Sequence, residues 1–478
     1  MDNCLSQRRA GVLLHPTSLP EGNLGADAFR FVDFLANSGF SVWQVLPLGP
    51  VHQDLSPYQS LSAQAGNDRL ICPHKLASWL GIERGELSLS AFLEVAAQHF
   101  FNHPEPIKTA EYQWFVQQHA RWLEDYVLFR ALRTEYANQS WTQWPLDLRQ
   151  RDCRALDAAR LRLHDTLQEL RFSQFVFFVQ WHELKQYANS KGIQMFGDMP
   201  FFVSHDSSDV WAFQQGFRLD EHGEPTVVAG VPPDYFSATG QRWGNPHYHW
   251  QNMAEHDFLW WVERIHGQFL LYDALRIDHF RGFESCWTIP SHEPTAINGY
   301  WEQAPGEDLF AAFRSQLGEL ALVAEDLGVI TPEVEALRRR YGLPGMKILQ
   351  FAFDSDAKNP YLPHHHRPDS IVYTGTHDNN TTLGWYEETD ERVHRRLDAY
   401  CGCQVVMPDS LIKMALASTS RWAIVPLQDL LRLDGVHRMN VPGTVEDNWR
   451  WAFQWEQFPD GLSEHCRQWL ADYDRLVD

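Results

Sequence analysis

Residues 270–279 run Leu270-Leu271-Tyr272-Asp273-Ala274-Leu275-Arg276-Ile277-Asp278-His279, a short apolar segment that ends in charged and polar side chains. Similar segments recur along the chain, and eight are found at residues 12–15, 42–48, 193–203, 270–279, 320–327, 346–353, 371–377 and 422–427. Apolar runs of this length are typical of strands buried on both faces, as in a parallel sheet. Helical patterns follow several of them. The sequence therefore predicts an α/β fold, a (β/α)8 TIM barrel.

Two helices between these segments have recognisable ends. Residues 26–37 carry helical periodicity, with Asp27 as a possible N-terminal cap and Gly39 at the exit. Thr331 and Pro332 are expected to open a second helix that closes near Gly342. Both helices would connect neighbouring strands of the predicted barrel.

Two intervals are too long for simple crossovers between strands. Residues 70–190 have strong helical periodicity and predict a helical subdomain inserted after the second strand. Residues 204–260 are rich in Gly, Pro, Asp and aromatic residues and predict a loop-rich insertion after the third strand, over the active site. We expect residues 1–478 to form a single catalytic barrel that carries both insertions.

Composition excludes several classes of partner. The chain has 62 Asp and Glu against 40 Lys and Arg, and this net charge of -22 repels nucleic acid and anionic membranes. No apolar stretch approaches the roughly 18–20 residues of a membrane span, and no export signal is recognisable. The seven scattered cysteines indicate a reducing compartment. We expect a cytoplasmic protein, monomeric or weakly oligomeric.

Acidic side chains stand at the ends of four predicted strands. Asp198, Asp278, Glu325 and Asp378 each follow an apolar segment. Because the strands of a barrel end at one mouth, these carboxyl groups should converge there. A single acid at this position is as easily part of a structural salt bridge as of a catalytic site, but four together favour catalysis.

Paired carboxylates suit the cleavage of glycosidic bonds, and the chain is 13% aromatic, which suits stacking on sugar rings. Retention of configuration requires carboxyl groups roughly 5–5.5 Å apart and inversion roughly 6.5–9.5 Å, which sequence does not distinguish. Arg276 lies two positions before Asp278, so strand alternation points both side chains to one face, where the guanidinium favours an ionised nucleophile. Glu325, beside Asp326, is the better candidate for an acid that keeps its proton.

Several motifs resemble those of the amylomaltases, the 4-α-glucanotransferase family of the α-amylase clan, and the resemblance covers nearly the whole chain. The matching motifs are Gly11-Val12-Leu13-Leu14-His15-Pro16-Thr17-Ser18-Leu19-Pro20, Trp43-Gln44-Val45-Leu46-Pro47-Leu48-Gly49-Pro50, Ser56-Pro57-Tyr58-Gln59-Ser60, Ala229-Gly230-Val231-Pro232-Pro233-Asp234-Tyr235-Phe236, Gln241-Arg242-Trp243-Gly244-Asn245-Pro246, Arg276-Ile277-Asp278-His279-Phe280-Arg281-Gly282 and Ala324-Glu325-Asp326-Leu327-Gly328.

The resemblance implies a role for each candidate site residue. It makes Asp278 the nucleophile, Glu325 the general acid and then base, and Asp378 the third catalytic carboxylate. The substrate-binding residues that it implies are Ser56, Tyr58, Asp198, Tyr235, Phe236, Trp243, Arg276 and His377. Tyr58 would stack on the sugar at the cleavage site, His377 would bind its hydroxyls together with Asp378, and residues 235, 236 and 243 would form an aromatic loop over the glucan.

The implied activity is transfer of α-1,4-glucan segments between maltooligosaccharides, through a covalent glucosyl-enzyme and with retained configuration. No cofactor and no metal are implied. Ordinary amylases of the clan carry an Asn-His pair at the end of the third strand, whereas Asp198 is followed here by Met199 and Pro200, which favours the transferase. The partners expected are maltooligosaccharides and α-1,4-glucans.

Alternatives remain open at this stage. A hydrolase of the same clan would use the same acids with water as acceptor, and a catalytically silent glucan-binding protein would need the aromatic rings but not the carboxyl pair. His15 and His279 suit a metal-dependent barrel hydrolase, although hydrogen-bonded histidines at the barrel mouth fit better. The tract at 364–366 and the pair Cys401 and Cys403 lack the companion ligands of a metal site.

Overall fold

The structure is a computed structural model that describes residues 4–233 and 237–477. Its strands are β1 (Arg9–Leu13), β2 (Val42–Gln44), β3 (Gln194–Met199), β4 (Val227–Val231), β5 (Gln241–Pro246), β6 (Ala274–Ile277), β7 (Ser285–Pro290), β8 (Tyr300–Gln303), β9 (Leu322–Ala324), β10 (Gly345–Ile348), β11 (Ser370–Tyr373) and β12 (Trp422–Pro426).

Eight parallel strands form the barrel that the sequence predicts. Their order is β10-β11-β12-β1-β2-β3-β6-β9. Between the two end strands, the Ala324 N–H donates to the Pro344 carbonyl at 2.9 Å, and the Met346 N–H donates to Asp326 Oδ1 at 2.7 Å. These bonds bring the ends of the sheet together and close the ring.

Each of the eight predicted segments overlaps one barrel strand, but three of them begin after their strand does, the first by three residues and those of β10 and β11 by one. β1 begins at Arg9, where the sequence segment begins at residue 12. Arg9 pairs with Trp422 and is buried, so a charged side chain lies inside a strand where hydropathy indicates none.

The barrel interior is filled by apolar side chains from strands that do not pair. The rings of Phe196 on β3 and Trp422 on β12 meet at 5.3 Å, although β1 and β2 lie between these strands in the sheet. Large buried rings of this kind supply much of the free energy that stabilises a core. The polar side chains at the barrel mouth lie next to this apolar interior.

The helices are α1 (Ala26–Ser38), α2 (Pro73–Leu80), α3 (Leu89–Asn102), α4 (Pro106–Glu135), α5 (Leu146–Arg149), α6 (Cys153–Arg162), α7 (His164–Ser190), α8 (Ser208–Ala212), α9 (Trp250–Glu255), α10 (Leu259–Leu271), α11 (Gly306–Leu317), α12 (Pro332–Arg340), α13 (Thr382–Glu388), α14 (Glu391–Cys401), α15 (Asp409–Ala417), α16 (Leu427–Leu430) and α17 (Leu462–Asp472). Of the helices in residues 4–233 and 237–477, none has both the length and the apolar character to cross a membrane.

One predicted helix cap is wrong. α1 ends at Gly39 in the left-handed region, as expected (φ 81°), but its N-terminal cap is Gly25. Asp27 instead accepts a hydrogen bond from Trp455 Nε1 at 2.7 Å, so a tertiary contact replaces the local one. α12 begins at Pro332 with Thr331 in the capping position, as the sequence predicts.

Helices α2 to α7 lie between β2 and β3 in the chain. The long helices α4 and α7 pack through aromatic rings, with Phe115 and Phe175 centroids at 5.7 Å. Phe175 also approaches Tyr112 at 5.6 Å and Trp79 at 6.1 Å. These rings explain the helical aromatic periodicity of residues 70–190.

A second sheet, of the order β5-β4-β7-β8, is antiparallel. Its first two strands lie in the interval 204–260, for which sequence reasoning predicts loops, and its other two follow β6. Gly230 in β4 and Gly244 and Pro246 in β5 weaken the strand signal of this interval. Pairing between the two chain segments stabilises them as strands.

Candidate active site

A buried arginine joins two carboxylates at the C-terminal mouth of the barrel. Arg276 on β6 donates through Nη1 to both oxygens of Asp198, at 2.7 and 2.8 Å, and through Nη2 to Asp278 Oδ1 at 2.9 Å. Burial alone would lower the pKa of Arg276, but the charges of Asp198 and Asp278 raise it well above its usual range. The guanidinium therefore stays charged and fixes the orientation of both carboxyl groups.

Tyr58 extends this network from the loop after β2. Its hydroxyl donates to Asp198 Oδ2 at 2.7 Å, and its ring stacks on His377 with centroids 5.1 Å apart and planes 18° from parallel. Ser56 helps to form the turn that carries Tyr58, since Ser56 Oγ accepts from the Tyr58 N–H at 3.3 Å. In this way the β2 loop is fixed to the ends of β3 and β11.

Glu325 follows β9 and lies next to Asp278 in the sheet order. Its Oε2 accepts from the His279 N–H at 2.8 Å, and its Oε1 accepts from the Leu327 N–H at 3.0 Å. Burial and the nearby charge of Asp278 raise the pKa of Glu325 to about 7, against the lowering effects of Arg276 and the two N–H donors. Near neutral pH this carboxyl group can therefore both hold and release a proton.

Asp378 lies half exposed in the loop after β11, beside His377. Its Oδ1 is 3.4 Å from His377 Nε2 and accepts from Asn440 Nδ2 at 2.6 Å. Arg438 Nη2 donates to the Asp378 backbone carbonyl at 2.9 Å. The structure thus places Asp378 and His377 side by side, with the segment around residue 440 as their support.

Sequence reasoning missed the segment that closes this side of the cleft. Trp449 lies 5.9 Å from the Tyr58 ring and 5.8 Å from the His377 ring, with a backbone φ of 63°. Asn440 comes from the same segment. No strand or helix in this region signals their position, and only the turn-forming residues Pro442, Gly443 and Asn448 could have indicated a structured loop.

The opposite side of the mouth carries Trp243 on β5. Its ring meets the His279 ring edge to face at 4.9 Å, and its Nε1 donates to Gln241 Oε1 at 3.1 Å. The predicted aromatic loop also includes Tyr235 and Phe236, which lie outside the described residues. The structure therefore places one of the three rings of that loop, and it borders the strand end that carries Asp278.

Two histidines at the mouth, His15 and His279, are neutral near pH 7. Burial and the nearby His377 lower the pKa of His15 to about 3, and burial lowers that of His279 to about 4. Among the residues that the structure describes, no cluster of three or more His, Cys, Asp or Glu could hold a metal ion. His15 and His279 therefore add no positive charge to the cleft near neutral pH.

Comparison with known proteins assigns the family. The glycoside hydrolase family 77 model, described as 4-alpha-glucanotransferase, matches residues 13–457. The chain is 45% identical to the 4-alpha-glucanotransferase of Synechocystis sp. over 99% of both chains, and 45% identical to that of Thermus thermophilus over 93% of this chain and 94% of the relative. The chain belongs to the 4-alpha-glucanotransferase family. It is an enzyme that transfers glucosyl groups, as the sequence predicts.

Solved structures agree with this family. Amylomaltase from Streptococcus agalactiae, in complex with acarbose, superposes with a TM-score of 0.95 at 36% identity and covers 98% of this chain and 100% of that one. Amylomaltase from Corynebacterium glutamicum matches with a TM-score of 0.78 at 18% identity, over 99% of this chain and 76% of that one, which supports the fold alone. The barrel is thus the fold of 4-alpha-glucanotransferases.

Proposed function

We propose that this enzyme transfers α-1,4-glucan segments between maltooligosaccharides by a retaining double displacement. The observation that carries the proposal is the contrast between two neighbouring acids. Asp278 contacts the Arg276 guanidinium, whereas Glu325 is partly buried and has a pKa of about 7. Two carboxyl groups in such different surroundings suit a nucleophile and an acid catalyst.

In the first step, a carboxylate oxygen of Asp278 attacks the anomeric carbon of the donor. The bond between this carbon and the glycosidic oxygen breaks, and the proton of Glu325 moves to that oxygen. The shorter glucan leaves with a new hydroxyl group. A glucan segment remains bound to Asp278 as an ester, and Glu325 is left ionised.

In the second step, a hydroxyl group of an acceptor glucan attacks the same carbon. Glu325 takes the proton of this hydroxyl, and the ester bond to Asp278 breaks. Two inversions at one carbon give an α-linked product. The carboxylate of Asp278 and the protonated Glu325 are restored, so the cycle needs no cofactor.

Asp378 and His377 are proposed to bind hydroxyl groups of the sugar at the cleavage site, and Tyr58 to stack on its ring. Asp378 is half exposed and fixed by Asn440, so one face of its carboxylate is free for a ligand. Hydroxyl contacts that strengthen in the transition state lower the barrier. Ser56, Asp198 and Arg276 support these groups, and Trp243, Tyr235 and Phe236 are proposed to cover the glucan.

The proposed substrate class is inferred from similar proteins. Curated relatives named 4-alpha-glucanotransferase align over 99% and 93% of this chain, and the related amylomaltase binds acarbose, a compound that we take as a model of a bound oligosaccharide. Maltooligosaccharides and longer α-1,4-glucans are therefore the proposed donors and acceptors. We propose that the protein is located in the cytoplasm.

Incubation with maltotriose alone tests this proposal. Transfer gives glucose together with a growing series of longer maltooligosaccharides, resolved by chain length over time. Hydrolysis gives glucose and maltose with no longer product. The Asp278→Asn variant is the control, since it keeps the side-chain shape and removes the nucleophile. A hydrolytic product pattern, or a fully active Asp278→Asn variant, would contradict the proposal.

A further inference from the structure

Asp429 is a buried carboxylate outside the network around Arg276. It lies in α16, directly after barrel strand β12, and is 2% exposed. Its Oδ2 accepts from Thr374 Oγ1 and from Thr382 Oγ1, both at 2.6 Å, and its Oδ1 accepts from the Thr382 N–H at 2.7 Å. Among the described residues it forms no ion pair. Burial of a carboxylate is costly unless such bonds compensate it, so this arrangement holds the chain in one conformation.

The two threonines bracket the loop that carries Asp378. Thr374 directly follows β11, and Thr382 is the first residue of α13. Between them, residues 375–381 contain His377 and Asp378. A single side chain from α16 therefore bonds to both ends of this loop.

The interior of the loop is fixed by separate bonds. The Thr376 N–H donates to Asn379 Oδ1 at 2.9 Å, and Gln350 Nε2 donates to the Asn380 carbonyl at 2.8 Å. These bonds shape the turn but do not connect it to β12. Asn440 and Arg438 hold the middle of the loop at Asp378, whereas Asp429 joins its two ends to the element that follows β12.

We propose that Asp429 is a positioning residue for the transfer reaction, because it fixes loop 375–381 and so the place of Asp378 in the cleft. This inference rests on the function proposed above for Asp378. Asparagine at position 429 keeps the shape of the side chain but places an amide group, which only donates, where Oδ2 accepts from Thr374 and Thr382. Both hydroxyl groups would have to turn and accept instead, and the bonds at the two loop ends would lose the strength that a carboxylate acceptor gives them.

The variant Asp429→Asn tests the proposal. We expect kcat with maltotriose to fall by about tenfold to a hundredfold, the range that a small misplacement of a binding group can cause, with a smaller change in KM. The matched control is Asp273→Asn at the opposite end of the barrel. Asp273 Oδ2 accepts from the Met195 N–H and from Asn189 Nδ2, each at 2.8 Å, so this variant should lower Tm but leave kcat unchanged.

A double-mutant cycle with Asp378→Asn separates positioning from general stability. If Asp429 acts through Asp378, Asp429→Asn should cost little further activity in the Asp378→Asn background. Equal fold losses in both backgrounds, or wild-type kcat for Asp429→Asn alone, would overturn this proposal. Wild-type kcat for Asp378→Asn alone would overturn the proposed function of Asp378 as well. If Asp429→Asn does not fold, the same double-mutant cycle is measured with Thr374→Val, which removes one hydrogen-bond donor with little change of shape.

Discussion

At the scale of single residues, the site depends on what burial does to charge. Arg276 is buried and Glu325 is partly buried, yet the first stays ionised and the second tends to keep its proton. The difference comes from partners: Arg276 contacts two carboxylates, whereas Glu325 is near Arg276 but also near the negative charge of Asp278. One guanidinium therefore holds the carboxyl groups of Asp198 and Asp278 in place, and Glu325 lies beside this pair.

The pH dependence of the reaction should report Glu325. The free enzyme needs a protonated Glu325, and its pKa is about 7, so kcat/KM should fall above pH 7, by tenfold for each further pH unit. Initial rates with maltotriose across roughly pH 5.5–9 measure this pH dependence. The buffers should have roughly constant ionic strength. A constant kcat/KM up to pH 9 would show that Glu325 does not donate the proton.

Removal of the neighbouring charge should change that titration. Since Asp278 raises the pKa of Glu325, the Asp278→Asn variant should have a lower Glu325 pKa. Carbon-13 NMR of protein labelled at glutamate side chains follows the carboxyl group directly, with Glu325→Gln as the variant that identifies its signal. An unchanged or higher pKa would mean that the two acids do not interact.

Two substitutions at Tyr58 should separate its hydroxyl group from its ring. Tyr58→Phe removes the hydrogen bond to Asp198 but keeps the stack on His377, and we expect roughly a tenfold loss of kcat/KM, as for a bond to a charged group. Tyr58→Ala removes both contacts and should lose at least tenfold more. Rates with maltotriose measure both variants. Equal rates for the two variants would mean that the ring contributes nothing.

At the scale of elements, the sequence predicts strands more reliably than the connections between them. The segment 270–279 indicates β6 because its apolar residues are local, and Asp278 follows because strand ends face the barrel mouth. The second sheet was not predicted, since β4 and β7 are far apart in sequence and each is stabilised by pairing with the other. Trp449 and Asn440 were missed for the same reason: tertiary contacts place them.

The helical insertion offers a test of element stability. Phe175 on α7 is buried among the rings of Trp79, Tyr112 and Phe115, and its replacement by Ala should lower the free energy of unfolding by about 3–5 kcal/mol. Trp114→Ala on α4 is the control, since this ring is 62% exposed and should change stability by less than about 0.5 kcal/mol. Denaturant unfolding measures both. Equal stability of the two variants would contradict the packing described for α4 and α7.

At the scale of the whole molecule, the net charge of the protein does not help it to attract its substrate. The chain carries a net charge of -22, whereas α-1,4-glucans are neutral, so no long-range electrostatic attraction guides the substrate. Recognition must come from hydroxyl contacts and ring stacking within the cleft. The acidic surface opposes binding to nucleic acid and anionic membranes.

Ionic strength should therefore have little effect on turnover. Between roughly 0.05 and 0.5 M salt, we expect kcat/KM for maltotriose to change by less than about twofold, because screening acts on charged encounters and the groups of the site are buried or paired. Initial rates at constant pH measure this. A steep fall with salt would point to a charged substrate or to a site that depends on exposed ion pairs.

The proposed mechanism requires a covalent bond between the glucan and Asp278. Trapping this intermediate tests the mechanism directly. The Glu325→Gln variant is treated with α-maltotriosyl fluoride, whose fluoride leaves without an acid catalyst, while the missing base slows the second step. Mass spectrometry of the intact protein and of its peptides then locates any added sugar. We expect one maltotriosyl group on Asp278, absent in the Asp278→Asn, Glu325→Gln double variant. Fluoride release without a covalent adduct, or an adduct on another residue, would contradict it.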